Sequence, residues 1–321
     1  VALGVFLGIV VGSIPGLTGS MLIALTVPLT FYMDSNLALV LLVAMYVGAI
    51  SGGLITATLL RMPGTPASVV TTFDGYPLAK SGKAGRAIGI GIMSSFVGGF
   101  ISWIFLVTLS PPLAKIALKF GPFEFFSLVL MALVMITAVG EGSILKGLIS
   151  GLLGLLAACP GIDTLSGTLR LDFGFEEMAA GFSLIPVLIG LFGISQIIAD
   201  LTNIERKVER IPITFKGMFL SLKDLKDQAV NLIRSSVLGT WVGILPGIGG
   251  NIGSLLAYSA ARSSSKNPEV FGKGSEEGIV ASEAANNATI GGALIPLITL
   301  GIPGSLVDAI LLGALILHDL T

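Results

Sequence analysis

Five side chains able to hold charge or a strong hydrogen bond stand inside otherwise apolar sequence: Arg61, Glu283, Asn286, Asn287 and Asp308. Hydrocarbon cannot solvate such groups, so each is by default a candidate for a ligand or ion pathway. Glu283, Asn286 and Asn287 fall at i, i+3 and i+4, which puts them on one helical face. The amides offer carbonyl oxygens to a cation and N–H donors to a carboxylate. Glu283 is a candidate cation-coupling residue, or equally an acid that complements a helix start. Arg61 either neutralises a substrate carboxylate by a bidentate contact or snorkels to an interface. Asp308 either binds a coupling cation or a proton, or pairs with a basic group elsewhere.

Chain breaks must position these groups, and the sequence writes four of them in two sets. Gly8, Gly12 and Pro15-Gly16 are followed by Gly52-Gly53 and Pro63-Gly64; Gly239, Gly243 and Pro246-Gly247 are followed by Gly291-Gly292 and Pro303-Gly304. Pro15 and Pro246 are 231 residues apart and Pro63 and Pro303 are 240 apart, so one internal duplication accounts for both sets. Helix breaks at membrane depth persist only where protein or a watery cavity covers the freed backbone, and paired breaks in two halves point to a transporter binding site. A capping residue follows each: Thr18 or Ser20 after Pro15-Gly16-Leu17, Thr65 with Pro66 after Gly64, Asn251 after Gly247, Ser305 after Gly304. Each break therefore reads as a half-helix start presenting free N–H groups to an anion. The expected substrate-binding set is Pro15, Gly16, Thr18, Gly19, Ser20, Arg61, Pro63, Gly64, Thr65, Pro246, Gly247, Asn251, Asn286, Asn287, Pro303, Gly304 and Ser305. The small-residue ladders Gly4, Gly8, Gly12 and Gly239, Gly243, Gly247 are read as helix-packing faces.

The 321 residues have a mean hydropathy of +0.96 and are 53% hydrophobic and 12% charged. That composition predicts an all-α polytopic membrane protein. Candidate spans are 37–60, 87–109, 123–139, 144–158, 182–199, 230–245 and 284–302. Net charge of −1 carries no nucleic-acid signal, and one cysteine excludes a disulfide framework or a cysteine metal cluster. No cofactor or metal is expected beyond a transported coupling ion. The expected division is a first repeat over 1–228 and a second over 229–321, truncated at its C-terminal side, so the chain reads as a fragment of a longer permease. Six Lys/Arg in 202–228, against the single Arg170 in 163–181, put the first loop in the cytoplasm and the second outside. The loop with Lys80, Lys83 and Arg86 falls on the cytoplasmic side too. The stretches from Asp74 to Arg86 and from Ser265 to Gly274 are expected to be solvated loops. One histidine, no HExxH and no paired aspartates argue against an intramembrane enzyme, while a passive ion or solute channel stays open as the alternative.

Several strings resemble the large membrane subunit of the tripartite tricarboxylate transporter family: Ile14 to Ser20 (IPGLTGS), Tyr46 to Gly53 (YVGAISGG), Pro63 to Ala67 (PGTPA), Asp74 to Pro77 (DGYP), Leu245 to Gly247, Phe271-Gly272, Glu283 to Ala288 (EAANNA) and Leu300 to Gly304 (LGIPG). Arg61 and Ser282 depart from that pattern. The resemblance implies a secondary active permease of the bacterial inner membrane with inverted-topology repeats and broken helices or re-entrant hairpins. It also implies uptake of di- or tricarboxylates by symport with Na+ or H+, a small four-helix membrane subunit as partner, and a periplasmic binding protein that delivers the organic acid.

Overall fold

The computed structural model describes residues 1–14, 16–124, 144–162, 168–175 and 217–320, with scattered positions in 126–131 and 178–201. Pro15, most of the expected span 123–139, parts of the expected span 182–199 and of the acidic loop 163–181, and residues 202–216 lie outside the described residues.

The described chain is almost wholly helical. The helices relevant here are α1 (Ala2–Gly12), α2 (Gly19–Thr30), α3 (Ser35–Leu60), α4 (Thr71–Leu78), α5 (Ala84–Ala117), α6 (Ile144–Ala158), α7 (Leu222–Asp227), α8 (Ala229–Ile244), α9 (Gly249–Ser264), α10 (Glu276–Leu300) and α11 (Leu306–Leu317). Among the described residues the strand content is one antiparallel pair, Gly161–Ile162 with Leu169–Arg170. The stretches Ser35–Leu60 and Thr71–Ala117 are long and apolar enough to cross a membrane. By contrast α2 and α11 have 12 residues each, and at about 1.5 Å per residue each reaches little more than halfway across a ~30 Å hydrocarbon core.

Each long helix starts and stops for a visible reason. Asp34 caps α3, its carboxylate accepting from the Asn36 and Leu37 amides at 3.0 and 3.2 Å. Ser275 caps α10 by accepting from the Gly278 amide at 3.2 Å, with Glu276 and Glu277 in the first turn where the helix dipole favours acids. Both helices end on a residue in the left-handed region, Arg61 with φ 54° and Gly301 with φ 66°. In both, the next amide folds back six residues, Met62 to the Thr56 carbonyl and Ile302 to the Pro296 carbonyl.

Every residue of α10 from Gly278 to Leu297 is buried, so it forms the axis of the molecule. Its neighbours α5, α8 and α9 pack on it. The glycine ladders do the packing expected of them except at Gly247, which lies past the end of α8 with φ 78°. Gly4, Gly8 and Gly12 are the buried residues of α1, and a Cβ on Gly8 or Gly12 would collide with the Met45 or Ala49 carbonyl of α3. Gly239 and Gly243 of α8 lie in the same way on the Ala285 and Thr289 carbonyls of α10, and Gly98 of α5 lies on that of Ala284.

Two expectations need correction. The stretch from Asp74 is not a solvated loop: Asp74 to Leu78 belongs to α4, and Asp74 is fully buried. One Asp74 oxygen accepts from the Gly274 and Ser275 amides at 2.8 and 2.7 Å and the other from Tyr258 Oη at 2.8 Å. The local sequence looks like a turn, but these partners 184 to 201 residues away hold the acid in the interior. Past it the chain kinks at Gly82, φ 88°, and enters α5. Arg86, from the same expected loop, is also partly buried. It donates to both Glu276 oxygens at 3.0 and 2.9 Å and to Asp224 at 2.6 Å. The Arg86 hydrogen bond, and then that of Ser221, hold the Asp224 carboxyl well below the usual carboxylate range. This contact joins the Lys80 to Arg86 stretch to residues near 224, the two basic segments expected on one side.

Candidate functional site

The four breaks meet around one cavity of about 360 Å³. Thr18, Gly19 and Ser20 line it from the first break, Thr65 from the second, Gly247 and Asn251 from the third and Ser305 from the fourth. Tyr46 and Ile50 of α3, Pro66 and Ala67 after the second break and Gly249-Gly250 at the start of α9 complete much of the wall.

Backbone contacts explain the convergence. The Gly247 amide donates to the Gly304 carbonyl at 3.0 Å, which ties the third break to the fourth. A Cβ on Gly64 would strike the Gly12 carbonyl, and one on Gly304 would stand 3.0 Å from the Gly243 carbonyl. The second break of each set therefore sits on the helix end of the first. A Cβ on Gly250 would lie 3.1 Å from Ala67 Cβ, so the sets also touch one another.

Helix starts face this space. Thr18 caps α2, its Oγ1 accepting from the Met21 amide at 3.1 Å, and Ser305 caps α11 by accepting from the Asp308 amide at 3.3 Å. Ser68 closes the single 3-10 turn Pro66–Ser68, accepting from the Thr65 amide at 3.2 Å. Asn251 does not cap. Gly247 and Gly249 both take positive φ, 78° and 68°, and the helix begins at Gly249, leaving Asn251 inside its first turn. No side chain caps α9, and Gly249, Gly250 and Asn251 at its start line the cavity. Thr65 Oγ1, also in the wall, is buried with no hydrogen-bond partner. Free backbone donors at a helix start and an unused hydroxyl suit an anion with oxygen acceptors.

Other expected residues lie beside or away from the cavity. Gly16, Pro63, Gly64, Pro246, Pro303 and Gly304 shape the breaks without lining it. Arg61 is exposed, with its guanidinium 5.7 Å from the Tyr76 ring centroid, and it is not in the wall. Asn286 and Asn287 are buried in α10 behind Gly250, whose added Cβ would come 3.7 Å from the Asn286 carbonyl oxygen. Asn287 is used up within the protein. Its Oδ1 accepts from Ser51 Oγ at 3.0 Å, and its Nδ2 donates to the Glu283 carbonyl at 3.2 Å and to Asn286 Oδ1 at 2.6 Å. Asn286 Nδ2 is buried without a partner. Glu283 is fully buried and accepts from Thr71 Oγ1 at 2.5 Å and Ser95 Oγ at 3.0 Å. Asp308, also fully buried, accepts from Ser305 Oγ at 2.6 Å through Oδ2, whereas its Oδ1 has no partner.

Sequence reasoning missed Tyr46 as a site residue, along with the Glu283 donors Thr71 and Ser95 and the Asn287 partner Ser51. Tyr46 had a readable signal, a phenol in an apolar helix. The hydroxyls had none, because Ser and Thr bond their own helix backbone so readily that position alone does not single one out.

Apolar helices, two of them long enough to cross a membrane, short helices that start around one shared cavity, and acids buried without a basic partner among the described residues are the features of a helical membrane protein with a candidate solute site. The comparisons give the family: the chain belongs to the tripartite tricarboxylate transporter TctA family, matched over residues 1–321. It is 38% identical over 321 residues, 99% of its length, to an uncharacterised 52.8 kDa protein of the TAR-I ttuC′ 3′ region of Agrobacterium vitis. It spans 63% of that relative's length. A protein of the TAR-II ttuC′ 3′ region of the same organism is 46% identical over 83 residues, 26% of this chain and 34% of its own. No solved structure matches.

Proposed function

We propose that this chain carries the solute path of a secondary active importer of di- or tricarboxylates. The observation that carries the reading is the single cavity to which all four breaks contribute, with the uncapped start of α9 and the free Thr65 hydroxyl in its wall. At about 360 Å³ it falls in the usual range of small-molecule sites, ~300 to 1,000 Å³. Carboxylate oxygens accept from the Gly249 to Asn251 amides and Thr65, while Asn286 supports the wall from behind. Buried Glu283 and Asp308 supply the negative charge that a coupling Na+ or H+ meets. The two sets of breaks form inverted repeats divided near residue 228, in the bacterial inner membrane. A small four-helix subunit and a periplasmic binding protein complete the importer.

Uptake of radiolabelled citrate and succinate by proteoliposomes holding the full-length permease, its small partner and its binding protein tests this. Accumulation that needs all three proteins and a Na+ or pH gradient is the expected result. Flux without the binding protein that merely equilibrates the solute, or a single-channel conductance, would show a passive channel instead.

A further inference from the structure

Asp308 stands at the inner end of a hydroxyl chain that opens on the cavity. Tyr46 Oη lies 3.2 Å from Ser305 Oγ, and Ser305 Oγ donates to Asp308 Oδ2 at 2.6 Å. Tyr46 and Ser305 both line the cavity, while Asp308 is fully buried and its Oδ1 has no partner. No charged group faces it among the described residues. Of the helices packed on α11, α2 has no ionisable residue, α3 contributes Tyr46, and α10 contributes Ile290, Leu294 and Leu297 to the shared core. On α11 itself the other ionisable group, His318, bonds Thr30 at 3.0 Å, three turns along the helix.

The carboxylate is not needed to close the turn. In the first set the residue 240 positions earlier is Ser68, which closes the Thr65 turn with a neutral hydroxyl. A buried acid with a bare oxygen and no cation is thus an added cost at a position where serine suffices.

We propose that Asp308 takes up one proton from solution in step with carboxylate binding, and that Ser305 and Tyr46 transmit the change to the cavity; this rests on the carboxylate reading of the cavity given above. While Asp308 is ionised, Ser305 spends its proton on Oδ2, so Tyr46 spends its own on Ser305 and turns a lone pair to the cavity. When water delivers H+ to Oδ2, an O–H bond forms there and donates back to Ser305 Oγ. Ser305 then donates to Tyr46, whose freed O–H points to an incoming carboxylate oxygen. Protonation thereby converts a cavity acceptor into a donor and removes a negative charge behind it. By linkage, bound carboxylate and bound proton each favour the other.

The test uses the full-length permease in lipid nanodiscs, its Asp308→Ser, Asp308→Asn and Tyr46→Phe variants, and citrate as probe. Infrared difference spectra between pH 8 and pH 6 are expected to show a carboxylic acid C=O band in the parent that both Asp308 variants lack. Citrate affinity in the parent should rise about tenfold per pH unit on acidification beyond the dependence left in Asp308→Ser, which citrate's own titration supplies. Tyr46→Phe should keep the band and lose part of the slope. A band that survives both Asp308 substitutions, or a parental slope that survives Asp308→Ser, overturns the proton site while leaving the carboxylate cavity standing. Absence of citrate and succinate binding at any pH overturns the cavity reading and the coupling with it.

Discussion

At the Pro63 turn the preceding helix ends on Arg61 with φ 54°, and at the Pro303 turn it ends on Gly301 with φ 66°. Both chains then fold back through the same six-residue hydrogen bond and place a hydroxyl residue, Thr65 or Ser305, in the cavity wall. From there they differ. Thr65 keeps an unpartnered hydroxyl and leaves closure of the turn to Ser68; Ser305 is engaged with Asp308 and Tyr46. One backbone device therefore carries two chemistries, a free donor on one side and a chain ending in a buried acid on the other. Duplicated geometry does not imply duplicated function.

The largest effect that would break this comparison comes from the glycines beneath the turns. A Cβ on Gly64 meets the Gly12 carbonyl, Thr56 Oγ1 at 2.6 Å and Gly53 Cα at 2.9 Å, whereas on Gly304 it meets Ala293 Cβ at 2.8 Å and the Gly243 carbonyl at 3.0 Å. Gly64→Ala is expected to cost about 3 kcal/mol, and Gly304→Ala about 1 kcal/mol. Thermal unfolding and monodispersity in detergent read both, and equal losses would mean that the two turns are seated alike. Next, Thr65→Val should weaken carboxylate binding by roughly 5- to 150-fold while leaving thermal stability unchanged. Isothermal titration beside a melting curve separates the two quantities, and a fall in stability without a change in affinity would make Thr65 a packing residue.

The asparagines behind the wall divide in the same manner. Asn287→Ala strips Ser51 Oγ and the Glu283 carbonyl of partners and should destabilise by about 2 kcal/mol. Asn286→Ala removes an amide whose Oδ1 accepts from Asn287 and whose Nδ2 makes at most a loose contact with Glu283, so the expected cost is about 1 kcal/mol, with the loss appearing in uptake. The reverse order in melting temperature would sink that assignment. Smallest is Arg61→Gly, which relieves a left-handed arginine and forfeits its contact with Tyr76. A gain of at most about 1 kcal/mol with unchanged uptake is expected, and a drop in uptake would return Arg61 to the site.

Much of this was legible in the sequence because Pro-Gly pairs and the hydroxyl residues after them act locally. The breaks, the caps at Thr18 and Ser305 and the glycine packing faces all follow from rules that need only neighbours in the chain. Asn251 escaped because a second positive-φ glycine, Gly249, moved the helix start three residues earlier, with Ile248 in the cap position. Asp74 escaped because its donors arrive from the far half of the chain. Arg61, read with equal weight as a substrate ligand or a snorkelling residue, lies exposed outside the cavity wall, its guanidinium 5.7 Å from the Tyr76 ring centroid.

The unbroken burial of α10 has a mechanical side. Where Gly98, Gly239, Gly243 and Gly292 lie against bare carbonyls of their neighbours, the facing helices meet without interlocking side chains. Such surfaces resist separation, since all the close contacts would be lost together, and the Arg86 to Glu276 ion pair with the Ser95 to Glu283 hydrogen bond also pins α5 against a slide along the axis. The central helix is thus the anchored spindle of the fold: amides along it should be the slowest in the protein to exchange with solvent.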